Sequence, residues 1–205
     1  MANDYEKNEF GEALKIQGTI LGGFVVSFWF LEIADRFLFH GSLDALGIRP
    51  RTVDGLWGIL FGPFLHLGFA HVLANTAPFV VLGWFVMLRR LSDFVWVTAV
   101  AGIISGLGTW LIGPANSVHI GASGIIFGYF GFLVMRGYFE RSFSSIMWAI
   151  VVIFLYGGLI WGVLPQDNGV SWQGHLFGFI GGGVAANWLA NRSRPAPLDD
   201  QIHIL

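Results

Sequence analysis

The chain has 205 residues, 55% of them hydrophobic and 12% charged, with a formal net charge of −2 and a mean hydropathy of +0.66. That is about half the charge of an ordinary soluble domain, so the chain belongs in a bilayer. There is no basic surface, zinc-finger spacing or P-loop to favour nucleic acid, and the lack of cysteine removes disulfides, a thiolate nucleophile and cysteine-based metal sites.

The first 15 residues carry Asp4, Glu6, Glu9 and Glu12 with Lys7 and Lys15, the wrong charge for a signal peptide or a transit peptide, so nothing is expected to be cleaved off. They read as a polar cytoplasmic tail, 1–15, matched by a second polar tail at 192–205. Between them, a membrane domain at 16–191 holds six apolar runs bounded by charges: 16–38, 69–88, 94–113, 122–139, 143–164 and 172–191. With both termini cytoplasmic, Lys7, Lys15, Arg89, Arg90, Arg136, Arg141, Arg192 and Arg194 fall inside and only Arg36, Arg49 and Arg51 outside. This asymmetry predicts a multi-pass protein of the cell membrane in that orientation.

The first connection, 39–68, mixes turn formers with Leu56-Trp57-Gly58-Ile59-Leu60-Phe61 and is too apolar for a solvated loop. A short amphipathic segment lying in the outer interface is expected there. The other outer connections, 114–121 and 165–171, are short and rich in Pro, Asn and Gly, which suits flexible turns.

Residues 94–135 contain no Asp, Glu, Lys or Arg, yet their middle, from Gly113 to Gly121, is full of helix breakers. Counting back from Phe139, 16 residues reach Ser123, or ~24 Å of helix in a hydrocarbon core ~30 Å thick. The fourth span therefore starts below the outer surface, and irregular backbone at that depth must be buried in protein or line a water-filled cavity. His175, His71 and Asn75 stand at similar heights, 17, 18 and 14 residues before Arg192, Arg89 and Arg89. Spaced i, i+4, His71 and Asn75 share one helix face. Four polar side chains from three helices can thus converge in one layer, where polar groups at membrane depth are functional candidates.

Glycines bring two of these helices together: Gly124, Gly128 and Gly131 line the fourth span, and Gly174, Gly178 and Gly182 the sixth. Small residues at this spacing let backbones pack closely in lipid, whether or not a site lies between them. A serine hydroxyl becomes a nucleophile when a neutral imidazole can take its proton. Candidate oxyanion donors are the Ser123 backbone N–H, the Asn75 amide and a ring N–H of His71. No acidic residue lies in the layer, so a Ser-His dyad without an orienting carboxylate is predicted.

Gly121-Ala122-Ser123-Gly124, joined to Gly174-His175-x-x-Gly178 and to His66, His71 and Asn75 at spacings of five and four, resembles the rhomboid family of intramembrane serine proteases. The resemblance covers residues 16–191. It implies an all-α, six-transmembrane-helix bundle with a long interfacial first loop, and hydrolysis of peptide bonds in or near transmembrane segments of substrate proteins, with water coming from the outer side. It further implies Ser123 as nucleophile, His175 as base, His71 and Asn75 as oxyanion donors, and His66 as a residue ordering the first loop. Gly121, Gly124, Phe127 and Gly178 fill supporting positions. Where the family often has a tyrosine stacking on the histidine, this chain has Phe127; where the family's first loop often carries Trp-Arg, Trp57 is followed by Gly58.

The expected partners are transmembrane protein substrates and the lipid bilayer, with no cofactor, metal or nucleic acid. His66 and His71, five apart, would lie ~140° from one another on a continuous helix, unlike the i, i+4 pair of a zinc protease. Glu32 and Arg36 are expected to pair at the outer end of the first span. His119 reads as solvated or interfacial, and His40 and His203 fall outside the layer. The alternative is a proteolytically silent rhomboid-like protein that binds membrane clients, although such relatives are expected to lack the serine or the histidine. A transporter would need a polar pathway spanning the membrane, and this layer is confined to the outer half.

Overall fold

The computed structural model describes residues 2–166 and 169–192, with side chains from Gly11 onward. The elements are α1 (Ala2–Ala34), a π-helical turn (Asp35–Phe39), 3₁₀ turns at Leu43–Leu46 and Asp54–Leu56, α2 (Gly58–Phe61) and a 3₁₀ turn at Gly62–Phe64. There follow α3 (Phe69–Met87), α4 (Leu91–Ile112), α5 (Ser123–Glu140), α6 (Phe143–Tyr156) with a 3₁₀ extension at Gly157–Val163, and α7 (Trp172–Arg192). No strand forms among the described residues; a single antiparallel bridge joins Ile48 to His119.

Four segments are long and apolar enough to cross a membrane: Gly11–Phe39, Phe69–Met87, Leu91–Ile112 and Phe143–Val163. The other two long helices, α5 and α7, are the glycine-rich ones, and they occupy the centre. α7 packs against α4 and α5, while α5 also touches α3 and α6. Their contact is backbone on backbone: a Cβ on Gly178 would run into the Gly124 carbonyl, one on Gly182 into the Gly128 carbonyl, and one on Gly131 into the Phe179 carbonyl. Glycine gives up side-chain contact here so that two helices can meet at main-chain distance.

Large side chains fill the space on the other side of α5. Phe28 of α1, Phe79 and Leu82 of α3, Val97 of α4, and Tyr129 and Phe132 of α5 are all almost fully buried. The Tyr129 hydroxyl shares a 2.7 Å hydrogen bond with Thr98 Oγ1, satisfying the one polar atom this core contains at that point. At the end of α5 away from Ser123, Arg89 pairs with Asp93 at 3.1 Å and with Glu140, and Arg136 pairs with Glu140 at 2.8 Å, tying together the ends of α3, α4 and α5.

Three expectations change. The charged N-terminal stretch is helical from Ala2 and continuous with the first apolar run, because Glu, Lys and Ala support helix and nothing at residue 15 breaks it. Among the described ion pairs none joins Glu32 to Arg36: the Glu32 side chain turns inward, 4% exposed, with Oε2 lacking a hydrogen-bond partner, while Arg36 is exposed. His66 and His71 do not share a continuous helix either. Gly68, at φ +86°, separates His66 from α3, and the two rings meet edge to face 5.1 Å apart. His203 lies outside the described residues.

Candidate active site

Ser123 opens α5 and His175 sits in the first turn of α7, so the close glycine packing of those helices sets their separation. Ser123 Oγ lies 2.9 Å from His175 Nε2. His175 Nδ1 lies 3.0 Å from the carbonyl oxygen of Gly162. A carbonyl can only accept, so Nδ1 carries the ring proton and a neutral imidazole presents Nε2 as the acceptor for the serine hydroxyl. A backbone carbonyl thus orients the ring where hydrolytic triads use a carboxylate. Phe127, one turn into α5, stacks flat on the imidazole, its ring centroid 4.0 Å from that of His175 and the planes 6° apart.

The two α3 residues face the same space. His71 Nδ1 accepts from Leu67 N–H at 3.2 Å, so its proton resides on Nε2. Asn75 donates one amide hydrogen to the His71 carbonyl at 2.9 Å and retains a second. Both line a cavity of about 450 Å³ together with Ser123, Phe127 and His175. Gly121 is required just ahead of the serine on two counts. Its φ is +112°, and a Cβ there would come within 2.8 Å of the His71 ring. Gly124 faces Ser105 Oγ, and Gly178 faces the Gly124 carbonyl, so each supports the site by its lack of a side chain.

His66 lies apart from this cavity. It is 2% exposed, packs against Phe28 at 5.2 Å between ring centroids, and accepts from the Ala122 N–H at 3.4 Å. Burial, and then the neighbouring His71, push its pKa down to about 4. It is a neutral imidazole that holds the first loop against the residue before the serine, helped by Gly121 N–H donating to the Gly62 carbonyl at 2.9 Å.

Several participants were not legible in the sequence. Gly162 contributes only main chain. Arg51 takes on the anchoring of the first loop, its Nη1 donating to the carbonyls of Leu111 (3.0 Å) and Gly113 (2.7 Å), while Trp57 is 66% exposed. His119 is not a solvated side chain: both ring nitrogens are engaged, Nε2 with Ser117 Oγ and Nδ1 with Ser171 Oγ, each at 2.7 Å, and burial lowers its pKa. Among the described residues no group of three or more His, Asp or Glu is placed to hold a metal ion.

Residues 53–192, which contain every one of these positions except Phe28 and Arg51, match the Rhomboid domain. The chain belongs to the rhomboid family. It is 47% identical over 189 residues to an uncharacterized protein of Mycobacterium tuberculosis, covering 88% of this chain and 78% of the relative. An uncharacterized protein of Mycobacterium leprae is 44% identical over 187 residues, 87% of this chain and 74% of its own. The rhomboid protease GluP of Bacillus subtilis is 31% identical over 171 residues, 79% of this chain but only 32% of GluP. With its four apolar helices, this rhomboid is an integral membrane protein.

Proposed function

We propose that this rhomboid is an intramembrane serine endopeptidase whose nucleophile is Ser123 and whose base is His175. The observation that carries the reading is the serine hydroxyl 2.9 Å from an imidazole whose far nitrogen is held by the Gly162 carbonyl. His175 Nε2 takes the hydroxyl proton as Ser123 Oγ attacks the scissile carbonyl, then delivers it to the leaving amine as the C–N bond breaks, leaving an acyl-enzyme. A water, deprotonated by the same Nε2, hydrolyses the ester and regenerates the serine. The developing oxyanion is stabilised by His71 Nε2–H, the free Asn75 amide hydrogen and the Ser123 backbone N–H at the start of α5. Hydrolysis also needs water at this depth. Beside the serine a cavity of about 40 Å³, to which Ser105, Ser123 and Ser171 contribute polar lining, is large enough for one water.

In this reading α1, α3, α4, α5, α6 and α7 all span the membrane, both termini are cytoplasmic, and the residence is the cell membrane. The substrate is a transmembrane protein that presents its scissile bond to the 450 Å³ cavity. The test is reconstitution in lipid vesicles with a single-span test substrate, comparing wild type with Ser123→Ala and His175→Ala. Both variants should be inactive. Cleavage at the wild-type rate by either would remove the dyad, and a wild type with no cleavage would favour a client-binding protein.

A further inference from the structure

A second histidine–serine pair faces the same cavity with its chain order reversed. His119 stands four residues before Ser123, and Ser171 stands four residues before His175. Their 2.7 Å contact therefore ties the segment leading into the serine to the segment leading into the histidine. Proton bookkeeping fixes its sense. Ser117 Oγ donates its one hydrogen to the Pro114 carbonyl at 2.6 Å, so it accepts from His119 Nε2–H. The neutral His119 ring then offers Nδ1 as acceptor for the Ser171 hydroxyl.

Each end of this link is set by something other than the link. On the serine side the His119 backbone exchanges two hydrogen bonds with Ile48, at 2.9 and 3.0 Å, so the ring projects from a fixed post on the first loop. On the histidine side Ser171 immediately precedes α7, and its carbonyl accepts the backbone N–H of His175 at 3.2 Å. One residue thus holds His119 through its hydroxyl and His175 through its carbonyl. The opposite side of that turn is held by Ser105, which donates to the Gly174 carbonyl at 2.7 Å.

Resting on the protease reading above, we infer that His119 and Ser171 are positioning residues, which fix the first turn of α7 so that the His175 imidazole stays within reach of the Ser123 hydroxyl. The distance between nucleophile and base is then clamped on two sides: by glycine packing deeper in the bilayer and by this hydrogen bond at the outer rim. Small misplacement of reacting groups is expensive in rate, so the clamp should act on kcat.

The test uses the full chain in lipid vesicles, with two readouts: labelling of Ser123 by a fluorophosphonate and cleavage of a single-span test substrate. His119→Phe and Ser171→Ala should each lower labelling and kcat on the order of 10- to 100-fold with KM unchanged. The double variant should fall no further than the worse single one, since both remove the same link. His119→Gln, whose amide can still accept from Ser171, should recover part of the loss. Wild-type labelling in the single variants, additive effects, or a change confined to KM would overturn the inference. If wild type itself does not cleave, the protease reading fails, and spectra of ¹⁵N-histidine-labelled protein decide the clamp separately: Ser171→Ala should move the His175 ring resonances, and an unmoved His175 sinks the inference.

Discussion

Phe127 and Gly162 hold the His175 imidazole between a ring face and a carbonyl. The Phe127 ring lies 4.0 Å from that of His175, and a Cβ on Gly162 would stand 2.6 Å from Phe127 Cζ and 3.3 Å from His175 Nδ1. The aromatic edge therefore runs hard against a residue with no side chain. Gly162→Ala must displace the stack, with overpacking of about 1–3 kcal/mol and a fall in kcat on the order of 100-fold. Cleavage and serine labelling measured together check this; a variant with both intact would show that the stack is not needed.

Asn75 keeps one amide hydrogen for the cavity after donating the other to the His71 carbonyl. Asn75→Ala should lower kcat roughly 100- to 1000-fold while the serine can still be labelled. An unchanged rate would remove Asn75 from the oxyanion site.

The buried His66 makes stability depend on acid. Its folded pKa of about 4 lies below its ordinary 6.5, so the unfolded chain binds a proton that the folded one refuses. The contribution is fully present above 6.5 and lost as pH falls through about 4. Thermal unfolding in detergent should show a midpoint that declines across that window in wild type and declines less in His66→Phe. Equal slopes in the two proteins would place the titration elsewhere.

Asp44 acts with the opposite sign. Burial first, then the carboxylates of Asp35 and Glu32, raise its pKa from 3.8 to about 6. Its contribution is present below 3.8 and lost as pH rises through 6, which leaves an unfavourable charge in the first loop at neutral pH. Asp44→Asn should therefore unfold at a higher temperature than wild type at about pH 8, the gain vanishing near pH 4. A gain that is the same at both pH values would refute the electrostatic origin.

The α5–α7 contact leaves no room for a methyl group. Gly178→Ala directs its Cβ at the Gly124 carbonyl, main chain against side chain, where neither can rotate away. A loss of about 1–3 kcal/mol is expected, with slower serine labelling because the helices that carry Ser123 and His175 are forced apart. Both can be read from one preparation by chemical unfolding and a labelling time course.

What was legible in the sequence follows from what hydropathy and spacing encode. The bounds of 69–88, 122–139 and 172–191 fall within two residues of α3, α5 and α7, because charges and glycines mark where those helices must stop. The Ser123–His175 contact was legible because each residue stands at the N-terminal end of a glycine face. The extent of α1 was not, since a charged stretch reads alike whether it is a tail or a solvated helix. Neither was the end of α6 at Tyr156, because an apolar run looks the same in α- and 3₁₀-helix. That turn matters, since it delivers the Gly162 carbonyl. The role of His119 is hidden for a related reason: polar neighbours in a Pro- and Asn-containing stretch suggest solvent or an interface, and only the fold reveals that Ser171, 52 residues away, is its partner.

The carbonyl that orients His175 belongs to no side chain, so no single substitution can delete it. An Asp in that role could drift to Asn or Glu and be tested by selection at each step. Here the hydrogen-bond acceptor is guaranteed by the polymer itself, and what can vary is only its aim, through the fold of residues 157–163. A scan that swaps side chains one by one would pass over this acceptor, although it sets which ring nitrogen faces the serine.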